Sequence, residues 1–178
     1  GSANGGYACG LIAGYLDGQA EITLRRPPPL ATPMAVERDG EGFVRVLDGD
    51  VLIAEGASPP GGLAVELPGP VTVRDARAAG LGSRLRAHPG EHPFPGCFVC
   101  GPDREDGLRL FAGPVREGVV ATPWVPLDDS PVMVWAALDC PSGWSHDLPG
   151  RPMVLGRMAC SIDELPMPGE DHVVLGWR

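Results

Sequence analysis

The sequence predicts a mixed α+β fold in which a buried helix accompanied by antiparallel strands occurs twice. Two stretches, 7–16 (Tyr-Ala-Cys-Gly-Leu-Ile-Ala-Gly-Tyr-Leu) and 132–138, are apolar or small all round, the mark of a helix buried on every side. Between and after them run short alternating segments separated by Asp-Gly pairs, which are hairpin signals. Gly and Pro are abundant, at 26 and 21 residues, yet Leu, Ile, Val and Phe supply 43 of the 178. That share lies above the range of disordered chains, so the Gly and Pro read as turns and connectors.

In the first helix, Gly6, Gly10 and Gly14 fall four apart on one stripe. Each costs ~1 kcal/mol of helix propensity, which is tolerable where another backbone packs closely. A continuous apolar strand is the other reading; the length and the scarcity of β-branched residues favour the helix. Segments 20–26, 34–38, 43–47 and 51–55 then read as a four-stranded antiparallel meander. Asp39-Gly40 and Asp48-Gly49 form its turns, and Pro27-Pro28-Pro29 breaks the first strand. Residues 58–96 read as a connector holding one short polar helix at 74–85. Strands follow at 108–115 and 119–125. Asp128-Asp129-Ser130-Pro131 gives the start of the second helix, and strands return at 154–162 and 172–177. The expected division is a first half at 1–57, a connector at 58–96 and a second half at 97–178.

Charge and composition narrow the function. All 14 basic residues are Arg and the net charge is −9, which argues against nonspecific nucleic-acid binding and against attachment to an anionic membrane. No apolar run approaches the length of a membrane span, and the first residues lack the basic and apolar blocks of a signal peptide. Five cysteines make an odd count, read as reduced thiols. The expectation is a soluble cytoplasmic protein.

Three motifs carry a resemblance. Asn4-Gly5-Gly6-Tyr7 runs straight into the first helix. Cys97-Phe98-Val99-Cys100-Gly101 is followed by Gly107-Leu108-Arg109-Leu110-Phe111, and Leu138-Asp139-Cys140 is read near the start of the second helix. Together, over 4–57 and 94–177, they resemble the hotdog-fold thioesterase superfamily. The first motif is similar to its (His/Asn)-Gly-Gly helix entry. The second is similar to the CxxCG signature of its phenylacetate-pathway type, and the third to that group's acidic helix position. The resemblance implies a tandem, or double, hotdog of two antiparallel sheets, each wrapping a buried helix. A hotdog half has a strand before its helix and further strands after it. The pattern therefore predicts a fragment or the ordered part of a longer chain, incomplete at both termini, or edges covered by a partner.

Thioester hydrolysis needs donors for the developing oxyanion and a base or nucleophile. Gly5 and Gly6, at a buried helix N-terminus, offer backbone amides and no Cβ to obstruct a carbonyl; a tight packing turn is the alternative. Asp139 is the sole acid in the apolar stretch 132–140, where an unpaired carboxylate is costly; a cap or a rim position is the alternative. In the family's single-domain dimers the site is shared between subunits, glycine amides from one and the acid from the other. The resemblance thus implies one composite site, with the Gly6 amide on the carbonyl and Asp139 as base or nucleophile. Asn4 either orients the thioester or caps the helix. Ser142 either positions water or holds a turn. Tyr7, Trp135 and Trp144 line an acyl tunnel or pack the core. Arg25 and Arg26, with Arg104 and Arg109, bind coenzyme A phosphates or sit solvated at the surface.

His88, His92, Cys97 and Cys100 have the spacing of a tetrahedral zinc set. The Pro/Gly-rich setting and the family signature favour small buried thiols instead, so neither a metal nor a cofactor is expected beyond coenzyme A in the substrate. The expected partner is an acyl-CoA or other acyl thioester, and the chain is expected to form a homodimer. Two alternatives remain: a noncatalytic acyl-CoA or lipid-binding module, and a hotdog hydratase or dehydratase. The last needs a His–acid pair, for which His146 alone lies near the second helix.

Overall fold

Asn4 sets the start of the first helix. Its backbone is extended and its side-chain oxygen accepts the Tyr7 N–H at 2.9 Å, satisfying one of the donors a helix start leaves unpaired. The computed structural model describes residues 1–146 and 150–178. In chain order the elements are α1 (Gly5–Ala13), β1 (Ala20–Leu24), β2 (Ala35–Arg38), β3 (Val44–Asp48), β4 (Val51–Ala57), α2 (Val73–Leu81), α3 (Arg84–Ala87), β5 (Gly113–Arg116), β6 (Val119–Trp124), α4 (Pro131–Trp144), β7 (Arg157–Cys160) and β8 (His172–Trp177). The result is a mixed α+β fold with two antiparallel sheets. The chain divides into two units, and α4 contributes to both.

The first unit comprises Gly1–Val65, Pro131–Ala136 and Val154–Leu165. Its sheet has the order β2-β3-β4-β1-β7, every neighbour antiparallel. The four expected strands all form, but not as a meander. β1 pairs with β4, Ile22 opposite Gly56 and Thr23 opposite Glu55. The cause lies between β1 and β2. Pro27–Pro29 offer no backbone N–H and hold the chain extended, so no tight hairpin can join those strands. β3 shows the alternation of a half-buried strand, with Val44 and Val46 inside and Arg45 outside. Ile22, Val44 and Ala54 are fully buried. The glycine stripe has the use its spacing suggests. A Cβ on Gly10 would stand 2.9 Å from the Val132 Cα and the Trp135 Cβ, so only glycine admits that approach.

The second unit comprises Glu66–Ser130, Ala137–Met153 and Pro166–Arg178, with a sheet ordered β5-β6-β8. The single polar helix expected at 74–85 is instead two, α2 and α3, because Gly82 ends the first and Ser83 caps the second. Thr72 caps α2, its hydroxyl accepting the Asp75 N–H at 3.1 Å. Its buried stripe of Ala76, Ala79 and Gly80 packs so closely on β5 that any side chain at Gly113 would collide with the Ala79 carbonyl.

α4 runs beyond the expected 132–138, from Pro131 through Pro141 to Trp144, so Leu138, Asp139 and Cys140 lie past its middle and not near its start. Pro141 removes one helix donor, and neighbouring groups hold the turn in place. The Ser142 hydroxyl donates to the Leu138 carbonyl at 2.8 Å. The Ser145 hydroxyl donates to the carbonyls of Ser142 at 2.7 Å and Trp177 at 3.2 Å. Gly176 lets β8 lie directly against the Pro141 carbonyl. The C-terminal half of α4 is thereby fixed to β8.

Candidate functional site

The most chemically loaded cluster lies in the second unit, where the 94–101 loop meets the C-terminal half of α4. The loop is braced by its own backbone. Cys97 N–H donates to the Phe94 carbonyl at 2.9 Å and Gly101 N–H to the Cys97 carbonyl at 2.8 Å. Leu108 and Leu110 N–H groups donate to Phe98 and Val99 at 2.8 Å each. Gly101 is obligatory, because a Cβ there would meet the Cys97 amide nitrogen at 2.5 Å. This frame presents Cys97 and Cys100 on the same side as Cys140 from α4. The three Sγ atoms lie within 4.8 Å of one another, with Cys97 and Cys140 at 3.6 Å. Leu85, Phe111 and Trp144 pack around them.

The three thiols do not share charge equally. Hydrogen bonds from Cys100 and Cys140, helped by the backbone amides of Cys100 and Val99, hold the Cys97 thiol far below its ordinary range. For Cys100 the bond with Cys140 pulls downward, but the bond to Cys97 and burial outweigh it and push the thiol up. Cys140 is pushed up by its bonds to Cys100 and Cys97 and by burial. Of the three, Cys97 is the one whose anion the neighbouring groups favour. His92 is buried beside it. Burial lowers its pKa, while a Cys97 thiolate acts to raise it. Its Nδ1 accepts the Phe94 N–H at 2.9 Å, and its ring meets that of Trp144 edge-on at 5.3 Å. Among the described residues, His92 Nε2 and Trp144 Nε1 are the buried side-chain polar atoms without a hydrogen-bond partner.

Three cysteine sulfurs at this separation can bind a metal ion. The spacing His88–His92–Cys97–Cys100 pointed to this region with a different donor set. His88 is exposed, and the third sulfur comes from Cys140. No local signal ties Cys140 to the loop, because the two lie far apart in the chain and only the packing of α4 joins them.

The residues expected to carry thioester chemistry are divided between the units. In the first, Asn4 caps α1 through Tyr7 and Gly6 is buried in its first turn. Gly5 packs against Leu155, whose Cβ a Cβ at Gly5 would meet at 2.7 Å. Trp135 is a core side chain, and Tyr7 is half-buried. Arg25 is paired with Glu55, and Arg26 is exposed. In the second, Asp139 is half-buried on α4, Ser142 is bonded to Leu138, and His146 is exposed just past the helix.

A further feature of the second unit was only partly signalled by sequence. A cavity of about 340 Å³ is lined by Arg77, Arg86, Arg109, Leu81, Phe111 and Thr122, among others. Arg77 is held by both carboxylate oxygens of Asp171, at 2.6 and 2.7 Å. Arg86 and Arg109 lie over the Phe111 ring at 5.2 and 5.5 Å. Among the described residues neither has a carboxylate partner. Arg109 adopts φ 56°, an uncommon conformation for a long side chain. Arg104, expected alongside it, is paired with Asp106 instead. No protein-family model, curated protein or solved structure matches the chain.

Proposed function

We propose that the chain is an acyl-thioester hydrolase of the hotdog type, acting on a fatty or aromatic acyl-CoA. The observation that supports this reading is the entry to α1. An uncharged helix, buried on one side and exposed at Leu11, begins at Gly5-Gly6 behind an Asn4 cap. Amides at such an end favour a developing negative charge, which is what a thioester carbonyl acquires when attacked. The carboxylate role is assigned by residue chemistry to Asp139, as base or nucleophile.

The arginine-lined cavity adds support for a phosphate-bearing ligand. Arg86 and Arg109 are free of carboxylates among the described residues, and guanidinium groups bind phosphate well. A panel of acyl-CoA substrates with detection of the released thiol tests the reading. Turnover that falls by about 10²–10⁴ in Asp139→Asn supports it, the range expected for losing a general base. Tight binding without thiol release makes the chain a noncatalytic binding module. Hydration of an enoyl-CoA without thiol release makes it a hydratase.

A further inference from the structure

We propose that Cys97, Cys100 and Cys140 together hold one zinc ion through three thiolates. The site is independent of the thioester reading and rests on the geometry of the second unit. Zinc–sulfur bonds of ~2.3 Å in a tetrahedron put neighbouring sulfurs about 3.8 Å apart. Cys97 and Cys140 stand at 3.6 Å, and all three sulfurs lie within 4.8 Å of one another. A disulfide is the rival use of two close thiols. It would join two of the sulfurs at ~2.05 Å and leave the third without a role. Three mutually close sulfurs on two separately braced supports suit an ion better. One support is the loop that needs Gly101; the other is the turn of α4 held by Ser142, Ser145 and Gly176. Soft sulfur donors select zinc over the oxygen-seeking calcium and magnesium.

The surroundings fit the charge of such a site. Each thiol that becomes a ligand releases its proton to solvent, so three thiolates and one Zn²⁺ carry a net charge of −1. Buried N–H donors are what that charge requires; Trp144 packs against the cluster and the His92 ring against Trp144, and among the described residues their Nε1 and Nε2 atoms are buried with no assigned partner. Because His92 Nδ1 accepts the Phe94 N–H, the neutral ring carries its proton on Nε2. That makes Nε2 a donor and not a fourth ligand, and His92 lies outside the set of mutually close ligand atoms. The fourth place is left to water.

Titration of Co²⁺, then Zn²⁺, into the reduced full chain tests this. The expected result is one equivalent of cobalt bound with a thiolate-to-metal absorption band, bleached by one equivalent of zinc. Cys97→Ser, Cys100→Ser and Cys140→Ser each lose the band, whereas Cys160→Ser, a buried thiol outside the cluster, keeps it. Cys140→His retains one equivalent with a shifted spectrum, a rescue that a purely structural cysteine would not show. His92→Gln keeps the stoichiometry and weakens affinity about 10–100-fold, as for other outer partners of metal ligands. Absence of the band in the wild-type chain, or its persistence in the three serine variants, overturns the site. Complete loss of the ion from His92→Gln overturns the three-thiolate set.

Discussion

Cys160 lies in β7 opposite Ala20 at 5% exposure, and burial pushes its thiol up to about 11. A thiol in the unfolded chain titrates near 9.0. Between those values the native state keeps a proton that the unfolded state has lost, so this contribution to stability falls as pH rises from about 9 to about 11. Cys160→Ala is expected to flatten that part of the stability–pH curve relative to the wild-type chain. Denaturant melts at pH 8, 9, 10 and 11 measure it, and parallel curves for the two proteins would refute it. Cys97 is shifted the other way, because neighbouring sulfurs and amides stabilise its anion. The CxxC spacing made Cys97 and Cys100 legible as a pair. Cys140 was not, because its neighbour Asp139 carried the family resemblance and nothing local to the helix distinguishes a ligand thiol from a core one.

Among the elements, helices were easier to read than their contacts. The glycines of α1 predicted a close backbone approach, and Gly10 makes one against Val132 and Trp135. The order of strands was not legible, since alternation shows that a segment is a strand without naming its neighbour. The proline run is the local feature that sends β1 to β4. The length of α4 was hidden by Pro141, which sequence reasoning takes as a stop. The bonds that tolerate it come from Ser142 and Ser145 and from the β8 backbone around Gly176 and Trp177.

Two substitutions probe these contacts. Gly10→Ala gains about 1 kcal/mol of helix propensity but must displace backbone and Trp135, an overpacking that costs about 1–3 kcal/mol. Net destabilisation is therefore expected. Gly176→Ala meets backbone on α4 and is expected to destabilise more, since no flexible side chain can yield. Equilibrium unfolding in urea ranks them; a Gly176→Ala protein as stable as the wild type would show that the β8–α4 contact is looser than described.

At the scale of the molecule, each compact unit draws on three separated stretches of chain. Periodicity cannot show such long-range assembly, which is why the sequence indicates two helix-and-strand sets and not which strands join which sheet. Net charge is similarly blunt. A chain of −9 still gathers Arg77, Arg86 and Arg109 around one cavity, and a whole-chain sum does not register a local site of opposite sign. The same holds for the cysteines, whose odd number predicted reduced thiols and not their convergence.

The central structural claim is that convergence, with a metal ion joining the 94–101 loop to α4. X-ray absorption at the zinc edge of the zinc-loaded chain tests it most directly. Three sulfur neighbours at about 2.3 Å and one lighter donor at about 2.0–2.1 Å are expected. A shell of nitrogen and oxygen alone, or a chain that retains no zinc after desalting, would contradict it.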